Sequence, residues 1–311
     1  AVICGENLTS IAIIGEDPET SAVDGGGWPF YNSHATWGKG PRLFEPAWSS
    51  GVLMANVTFR NSMSWTVHPQ FCDNVLADNI RILNPRPVGN TDGFDPDSCT
   101  NVILRHSLID TGDDGVSIKS GNSSRDRDVQ VPTRNVHIYN TTVLSRNMCI
   151  GSATYGGIYN LMVENCTIGD LEGSAAWAIK YKSHRWYPGA MVNHTWRNIR
   201  IGKIAPNSYQ QPDGGYVFSI TLNYGDKPPT NPPVCPPVCP LFNDITFENL
   251  TIAGSRTAGN VDGTDGDLLH GLTMRNVVWE TMPTESNWSC ENVDLSTFTA
   301  ENVVPALKCS Q

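Results

Sequence analysis

The sequence predicts an all-β protein, a right-handed parallel β-helix (a β-solenoid), formed by a single domain over residues 1–311. Three observations support this prediction. A short phrase with strand periodicity recurs along the chain, 28 glycines and 21 prolines make turns frequent, and charged residues make up only 17%. A charged fraction well below the roughly 25% of soluble domains argues against disorder and against long charged helices.

The recurring phrase consists of apolar residues at alternating positions, followed by Asn or a similar residue. Alternation with a period of two indicates a β-strand, and Asn tolerates a left-handed backbone and can stack its amide from coil to coil. The shortest step, from Asn56 to Asn79, is 23 residues, the length of one coil. The clear copies are 52–56, 75–79, 102–106, 136–140 and 161–165, weaker copies end at Asn198, Asn249 and Asn276, and an outlier ends at Gly15. We expect coils from about residue 11 to 280 and a C-terminal tail at 281–311.

A second strand in each coil carries most of the unusual polar residues. Its copies begin at Gly115, Met148, Trp177 and Phe218. We expect one inward column formed by Ile118, Ile150, Ile179 and Ile220. The strand period then places Lys119 and Lys180 on the outer surface and turns Trp177 inward.

Three aspartates are expected to meet on this outer surface. Matching Phe94 to Val116 puts Asp92 in register with Asp114 one coil later, about 4.8 Å away, with Asp113 beside them. Crowded carboxylates repel one another and raise at least one pKa. An acid then lies beside a carboxylate, as glycoside hydrolysis requires. The alternative is that the Asp-Gly pairs only make turns.

Several segments together resemble glycoside hydrolase family 28, the polygalacturonase family. They are Asn90-Thr91-Asp92, Gly112-Asp113-Asp114, Ser117-Ile118-Lys119-Ser120-Gly121, Ile150-Gly151-Ser152, Ile179-Lys180 and the upstream run from Ser62 to Pro69. The resemblance implies a right-handed parallel β-helix and inverting hydrolysis of α-linked, galacturonan-type pectic chains. It makes Asp113 the general acid and lets Asp92 and Asp114 activate water. It makes Lys180 a ligand for a substrate carboxylate and Tyr224 a cleft residue.

Two motifs depart from the family pattern. Ser145-Arg146-Asn147 stands where the family usually has Gly-His-Gly, and Ala178-Ile179-Lys180 where it has Arg-Ile-Lys. We expect Arg146 to lie near Asp114 and keep it ionised, and Lys180 to hold the substrate carboxylate alone. Lys119 and Arg146 are further candidates for substrate binding. The departures leave open a rhamnogalacturonan or xylogalacturonan hydrolase, a non-catalytic pectin-binding relative, and a Ca²⁺-dependent lyase on the same kind of solenoid.

Cysteines and glycosylation sequons favour a secreted protein. Nine cysteines suggest the pairs Cys72–Cys99, Cys149–Cys166, Cys235–Cys239 and Cys290–Cys309, with Cys4 left over. Zinc at Cys235 and Cys239 is disfavoured because no second ligand pair accompanies them. The sequons are Asn7, Asn56, Asn122, Asn140, Asn165, Asn193, Asn249 and Asn287, four of which (56, 140, 165 and 249) end copies of the repeat.

The partner that the sequence predicts is a pectic polysaccharide. The net charge of −10 and the absence of a basic cluster disfavour nucleic acid, and no apolar run approaches the roughly 20 residues of a membrane span. We expect a monomer with no metal and no cofactor. Residues 1–26 resemble a segment that lies well inside related chains, so we also expect an N-terminal cap to be missing from this sequence.

Overall fold

The computed structural model describes residues 1–32, 35–121, 130–170, 175–185, 187–206, 214–224, 241–263 and 268–309. This part of the chain contains 24 strands and two three-residue 3₁₀ helices, Trp28–Phe30 and Leu295–Thr297. The strands pair with one another in parallel, coil upon coil. The predicted right-handed parallel β-helix is confirmed. No helix among these residues has the length and apolarity needed to cross a lipid bilayer.

The strands, in chain order, are β1 (Ile3–Glu6), β2 (Thr9–Ile14), β3 (Ala22–Asp24), β4 (Phe44–Ala47), β5 (Ser50–Ala55), β6 (Thr58–Arg60), β7 (Asp73–Asp78), β8 (Arg81–Leu83), β9 (Thr100–Arg105), β10 (Leu108–Asp110), β11 (Val116–Ile118), β12 (Thr133–Tyr139), β13 (Thr142–Val143), β14 (Met148–Ile150), β15 (Ile158–Glu164), β16 (Thr167–Ile168), β17 (Trp177–Lys182), β18 (Met191–Ile204), β19 (Tyr216–Thr221), β20 (Phe242–Ser255), β21 (Thr257–Asp262), β22 (Leu272–Trp279), β23 (Ser286–Glu291) and β24 (Thr299–Val304).

Successive coils build three faces. The first face stacks β1 and β4, then single bridges through Val67 and Phe94, then β11, β14, β17, β19, β21 and β23. The second contains β2, β5, β7, β9, β12, β15 and the first halves of β18, β20, β22 and β24. The third contains β3, β6, β8, β10, β13, β16 and the second halves of those four strands. The buried residues between the faces form one hydrophobic core along the axis.

The Asn positions of the repeat lie where the second face turns into the third. Their backbones are left-handed, with φ of +53° at Asn56 and +56° at Asn249. The Asn79 side chain donates to Asn56 Oδ1 at 2.8 Å, and a longer amide ladder runs from Asn165 to Asn302. Two features were not predicted. One is the copy of the repeat that ends at Asn302, and the other is a second amide ladder at the opposite end of the same strands, through Asn74, Asn101, Asn135, Asn160 and Asn193.

The C-terminal end of the solenoid differs from the predicted picture. Strands β23 and β24 continue the stacking to Val304, so coils extend into the segment expected to be a tail. In the first coil, Ile11 and Ile13 are only partly buried, whereas their partners Val52 and Met54 in the next coil are 1% and 0% exposed. The missing N-terminal cap stays a prediction.

The predicted disulfides are confirmed only at Cys290–Cys309, with a Cα–Cα distance of 5.1 Å. The pairs Cys72–Cys99 and Cys149–Cys166 are wrong, because all four residues are free, buried thiols. Cys72 and Cys99 are stacked as expected, but each thiol donates to the carbonyl two residues earlier, at 3.2 Å. Cys4 is a free, exposed thiol. The pair Cys235–Cys239 and the sequon Asn122 lie outside the described residues.

The inward column of the first face differs from the prediction at one coil. Ile118 pairs with Ile150 as expected, but Ile150 pairs with Tyr181, which in turn pairs with Ile220. Ile179 pairs with Met148 instead, two residues out of the predicted register. A tyrosine is tolerated inside because its hydroxyl accepts a hydrogen bond from Trp196 Nε1 at 2.8 Å and lies 3.1 Å from His194 Nδ1. Lys180 and Lys182 therefore flank the inward residue.

Candidate active site

Two outward columns on the first face hold the polar residues of the candidate site. Residues of the second column lie three positions after those of the first, because the two residues between them turn inward at a bend in each coil. The first column is Trp65, Asp92, Asp114, Arg146 and Trp177, and the second is His68, Asp95, Ser117, Cys149 and Lys180. The predicted register of Asp92 with Asp114 is confirmed by the Phe94–Val116 bridge. The inward orientation predicted for Trp177 is wrong, because simple alternation ignores the bend.

The columns open into a cleft of about 310 Å³. All seven predicted site residues line it, namely Asp92, Asp113, Asp114, Lys119, Arg146, Lys180 and Tyr224. Its other lining residues are Trp65, Asn90, Gly151, Ser152, Trp177 and Lys182. A larger groove of about 440 Å³ on the second face is lined by Asn residues, apolar residues and His137, without a carboxylate. Because hydrolytic chemistry needs the acids, we place the candidate site in the smaller cleft.

Glycines in the site motifs are required for space. A Cβ on Gly93, which follows Asp92, would lie 2.3 Å from the carbonyl oxygen of Gly115. A Cβ on Gly151 would lie 1.9 Å from the carbonyl oxygen of Lys182, and Gly151 has a φ of +101°. These positions allow adjacent coils to approach closely, which holds the carboxylates and lysines together.

Asp113 is held by three donors. Its Oδ2 accepts from the backbone N–H of Asn90 at 2.8 Å, and its Oδ1 accepts from the backbone N–H of Asp114 at 3.0 Å. Arg146 Nη1 lies 3.1 Å from the same Oδ1. The expectation that Arg146 keeps Asp114 ionised is therefore wrong, because its ion pair is with Asp113. The arginine follows Asp114 in the column, but its long side chain reaches across to Asp113 and to the Gly112 carbonyl.

Asp114 is buried and bound by two different donors. Lys182 Nζ donates to Oδ2 at 2.6 Å, and Asn147 Nδ2 donates to Oδ1 at 2.9 Å. Burial acts to raise the pKa of Asp114, but the charges of Lys182 and Lys119 outweigh burial and hold this pKa well below its usual range. Asp114 therefore stays ionised.

Asp92 has the opposite environment. Its side chain is 8% exposed, and burial together with the charges of Asp95 and Asp113 raises its pKa well above the usual range. The nearest cation, Lys119, has Nζ 3.6 Å from Asp92 Oδ2 but only 3.0 Å from Asp95 Oδ2. The cluster thus contains a carboxyl with a raised pKa beside one with a lowered pKa, as the crowding of acids predicts.

Lys119 and Lys180 both line the cleft but differ in their partners. Lys119 is 5% exposed, pairs with Asp95 and lies over the Trp65 ring at 4.6 Å, so its charge is already compensated. Lys180 Nζ lies 3.7 Å from the Trp177 ring centroid, and no carboxylate oxygen of the described chain is within 4.0 Å of it. Burial and the charge of Lys182 lower the pKa of Lys180 to about 8. Lys180 is the cation available to an anionic ligand.

A further acid, Glu45, lies outside the cleft in β4, near the start of the first face. Glu45 contacts the Arg42 guanidinium, and its Oε2 lies 2.9 Å from Nδ1 of the buried His68. Burial acts to raise the pKa of Glu45, but the hydrogen bonds from His68 and Arg42 outweigh it and bring the pKa to about 2. Because this pKa is depressed, the stabilisation is present above the unfolded pKa and is lost as the pH falls towards 2.

A Glu45→Gln variant tests this contribution. The difference in unfolding free energy between wild type and variant is expected to reach up to about 3 kcal/mol above pH of about 4.5 and to shrink towards pH 2. Urea unfolding at several pH values measures it. Glu6→Gln, an exposed position in β1, is the matched control and should show a much smaller difference. A constant difference for Glu45→Gln across this range would contradict the assignment.

In the described ranges, no group of three or more His, Cys, Asp or Glu side chains is arranged to hold a metal ion. The aspartates of the cleft instead contact Lys119, Arg146 and Lys182. Their oxygens face protein cations that a divalent ion would have to displace.

Paired carboxylates in a cleft are the reacting groups of glycoside hydrolases, and the fold and the cleft together define a protein of that class. The chain belongs to the glycosyl hydrolases family 28, whose family model matches residues 1–302. This confirms the family that the sequence motifs resemble.

Several relatives of the chain are named as polygalacturonases. A probable polygalacturonase from Vitis vinifera is 26% identical over 299 residues, which cover 94% of this chain and 58% of the relative. An endo-polygalacturonase from Pectobacterium carotovorum subsp. carotovorum is 30% identical, covering 81% and 55%. The crystal structure of an exopolygalacturonase from Thermotoga maritima superposes with a TM-score of 0.67 at 23% identity, covering 83% and 55%. The chain spans a little over half the length of these relatives.

Proposed function

We propose that this chain hydrolyses α-glycosidic bonds in a galacturonan-type pectic polysaccharide with inversion of configuration. The observation that carries the proposal is the stacking of Asp92 and Asp114 in adjacent coils, with Asp113 beside them and Lys180 in the same cleft without a carboxylate partner among the described residues. Three carboxylates supply an acid and a base, and the ammonium group of Lys180 suits a sugar that carries its own carboxylate. Membership of family 28 and the polygalacturonase names of its relatives support the same reaction.

In this proposal Asp113 protonates the leaving glycosidic oxygen, and Asp92 and Asp114 together activate the attacking water. Lys180 binds a substrate carboxylate next to the Trp177 ring. Tyr224, which is 37% exposed, forms part of the cleft wall. A Ca²⁺-dependent lyase is a weaker alternative, because Lys182, Arg146 and Lys119 already neutralise the acids that would bind the ion.

A second assignment of the acid is favoured by one observation. The pKa of Asp92 is raised and that of Asp114 is lowered, and groups driven apart in this way commonly serve as acid and base. Asp92 would then donate the proton and Asp114 would activate water. A substrate with a good leaving group separates the two assignments, because only the variant that lacks the true acid regains activity on it.

The substrate and the stereochemistry need one combined experiment. Purified protein is incubated with polygalacturonate, xylogalacturonan and rhamnogalacturonan, and the products are identified by mass. Saturated oligogalacturonides from polygalacturonate support the proposal, and proton NMR of the first anomer released shows whether configuration inverts. Cleavage of only a substituted or rhamnose-containing polymer identifies the corresponding relative, unsaturated products identify a lyase, and binding without turnover identifies a non-catalytic relative.

We also propose that the protein acts outside the cell. The Cys290–Cys309 disulfide supports an oxidising compartment, and the plant and bacterial relatives named above are polygalacturonases. Four of the sequon residues, Asn56, Asn165, Asn193 and Asn249, belong to amide ladders. Glycosylation and a monomeric state stay predictions.

A further inference from the structure

Lys182 reaches the candidate site from two coils away. It ends β17, in register with Gly151 one coil earlier and with Lys119 two coils earlier. Gly151 has no side chain between the two lysines, so Lys182 can extend back along the column. Its Nζ donates to Asp114 Oδ2 at 2.6 Å, with the two side chains only 9% and 7% exposed. This is the closest ion pair between described residues of the cleft.

Two lysines in one strand therefore have different environments. Lys182 is bound to Asp114, whereas Lys180, two residues earlier, has a ring beneath it and no carboxylate partner among the described residues. We propose that Lys182 is a positioning residue, which orients Asp114 and keeps it ionised as the base, and that Lys180 is left to bind the substrate. This inference rests on the proposed function, in which Asp114 activates water.

The other groups around Asp114 do not replace Lys182. The cations that face it from neighbouring coils are more distant or engaged elsewhere, namely Lys119 with Asp95, Arg146 with Asp113, and Lys180. The other titratable groups around it are the acids Asp92, Asp95 and Asp113, whose negative charge opposes its ionisation when they are charged, and Cys149 and Tyr224, whose pKa values are raised so that they stay neutral. Removal of Lys182 thus leaves a buried carboxylate among other acids, with Asn147 as its remaining side-chain donor.

The sign of the pH effect follows from this geometry. A base must be ionised to act, so the acidic limb of the kcat profile reports its protonation. An opposite charge in contact lowers the pKa of a carboxylate by about 1 to 3 units. In a Lys182→Met variant the acidic limb should therefore move to higher pH by about 1 to 3 units, while KM changes little. Lys182→Arg keeps the charge and should keep the limb near its wild-type position.

The comparison variants separate positioning from binding. Lys180→Met is expected to raise KM on polygalacturonate and to leave the acidic limb of kcat in place. Lys203→Met, an exposed residue of β18, is the control for loss of a lysine and should match wild type. An unmoved acidic limb in Lys182→Met, or a rise in KM alone, would overturn the inference.

A measurement on the wild-type protein covers the case in which Lys182→Met does not fold. The ¹³C signal of the Asp114 carboxyl, assigned by its loss in Asp114→Asn, should show no titration above pH of about 3. Titration near the ordinary value of about 3.9 would overturn the inference. If wild type cleaves no pectic polymer, the proposed function fails, and the NMR titration still decides whether Asp114 is held ionised in this environment.

Discussion

Replacement of Asp113 by asparagine is expected to lower kcat on the pectic substrate about 10²- to 10⁴-fold, the usual contribution of a general acid. Asparagine has nearly the same shape, and its single carbonyl oxygen can keep one of the two backbone hydrogen bonds, from Asn90 or from Asp114, at a position that is only partly buried. The fold should therefore survive, and the loss should come from the missing proton. Reducing-sugar release and circular dichroism measure the two quantities.

The leaving group makes this test specific. A substrate with an aryl leaving group of low pKa departs without protonation, so Asp113→Asn should regain most of its activity on an aryl α-galacturonide. Asp114→Asn should not, because water activation is still missing. Asp244→Asn is a matched control, since Asp244 is exposed, lies outside the cleft and has the left-handed backbone that asparagine accepts. Full polymer activity in Asp113→Asn would refute its role, and rescue of Asp92→Asn instead would make Asp92 the acid.

Replacement of Tyr181 by alanine is expected to lower the free energy of unfolding by about 3–5 kcal/mol, as for other large buried rings. Tyr181 is fully buried under the cleft, between Ile150 and Ile220, and packs against Phe242 at 5.9 Å between ring centroids. Removing the ring leaves a cavity and deprives the buried Trp196 N–H of its acceptor. Denaturant unfolding followed by tryptophan fluorescence measures the loss.

One further variant separates the loss of volume from the loss of hydrogen bonding, and a second serves as a control. Tyr181→Phe keeps the ring and removes only the hydroxyl, so it should cost about 1–3 kcal/mol for the unsatisfied groups. Tyr159→Ala removes a tyrosine that is only partly buried in β15, where the Arg134 guanidinium lies over its ring, and should cost about 1 kcal/mol or less. An equal loss at both tyrosines would contradict the buried position of Tyr181.

The elements predicted best are those controlled by short-range periodicity. Alternating apolar residues and left-handed Asn positions give the coil register, and that register alone brings Asp92 next to Asp114. Glycines in the motifs, such as Gly93 and Gly151, also indicate where adjacent coils approach closely. Because one register error does not move the earlier coils, the acids were placed correctly even though Ile179 was not.

The parts that sequence reasoning missed depend on tertiary contacts. Tyr181 lies inside only because Trp196 and His194 satisfy its hydroxyl, and nothing in β17 itself signals those partners. Trp177 faces the cleft because each coil bends before its strand, although the same spacing of three is visible in Asp92 and Asp95. Lys182 was not predicted and Arg146 was assigned to the wrong acid, because long side chains reach across coils, where column position no longer tells which acid they contact.

The coil-on-coil stacking has a consequence for local opening. Each coil contacts mainly its two neighbours, so partial unfolding begins at the ends and moves inward. The cleft residues from Trp65 to Tyr224 have stacked strands on both sides, β4 before them and β21 after them, which makes their backbone amides among the last to exchange with solvent deuterium. The geometry of the cleft can thus persist while other coils open.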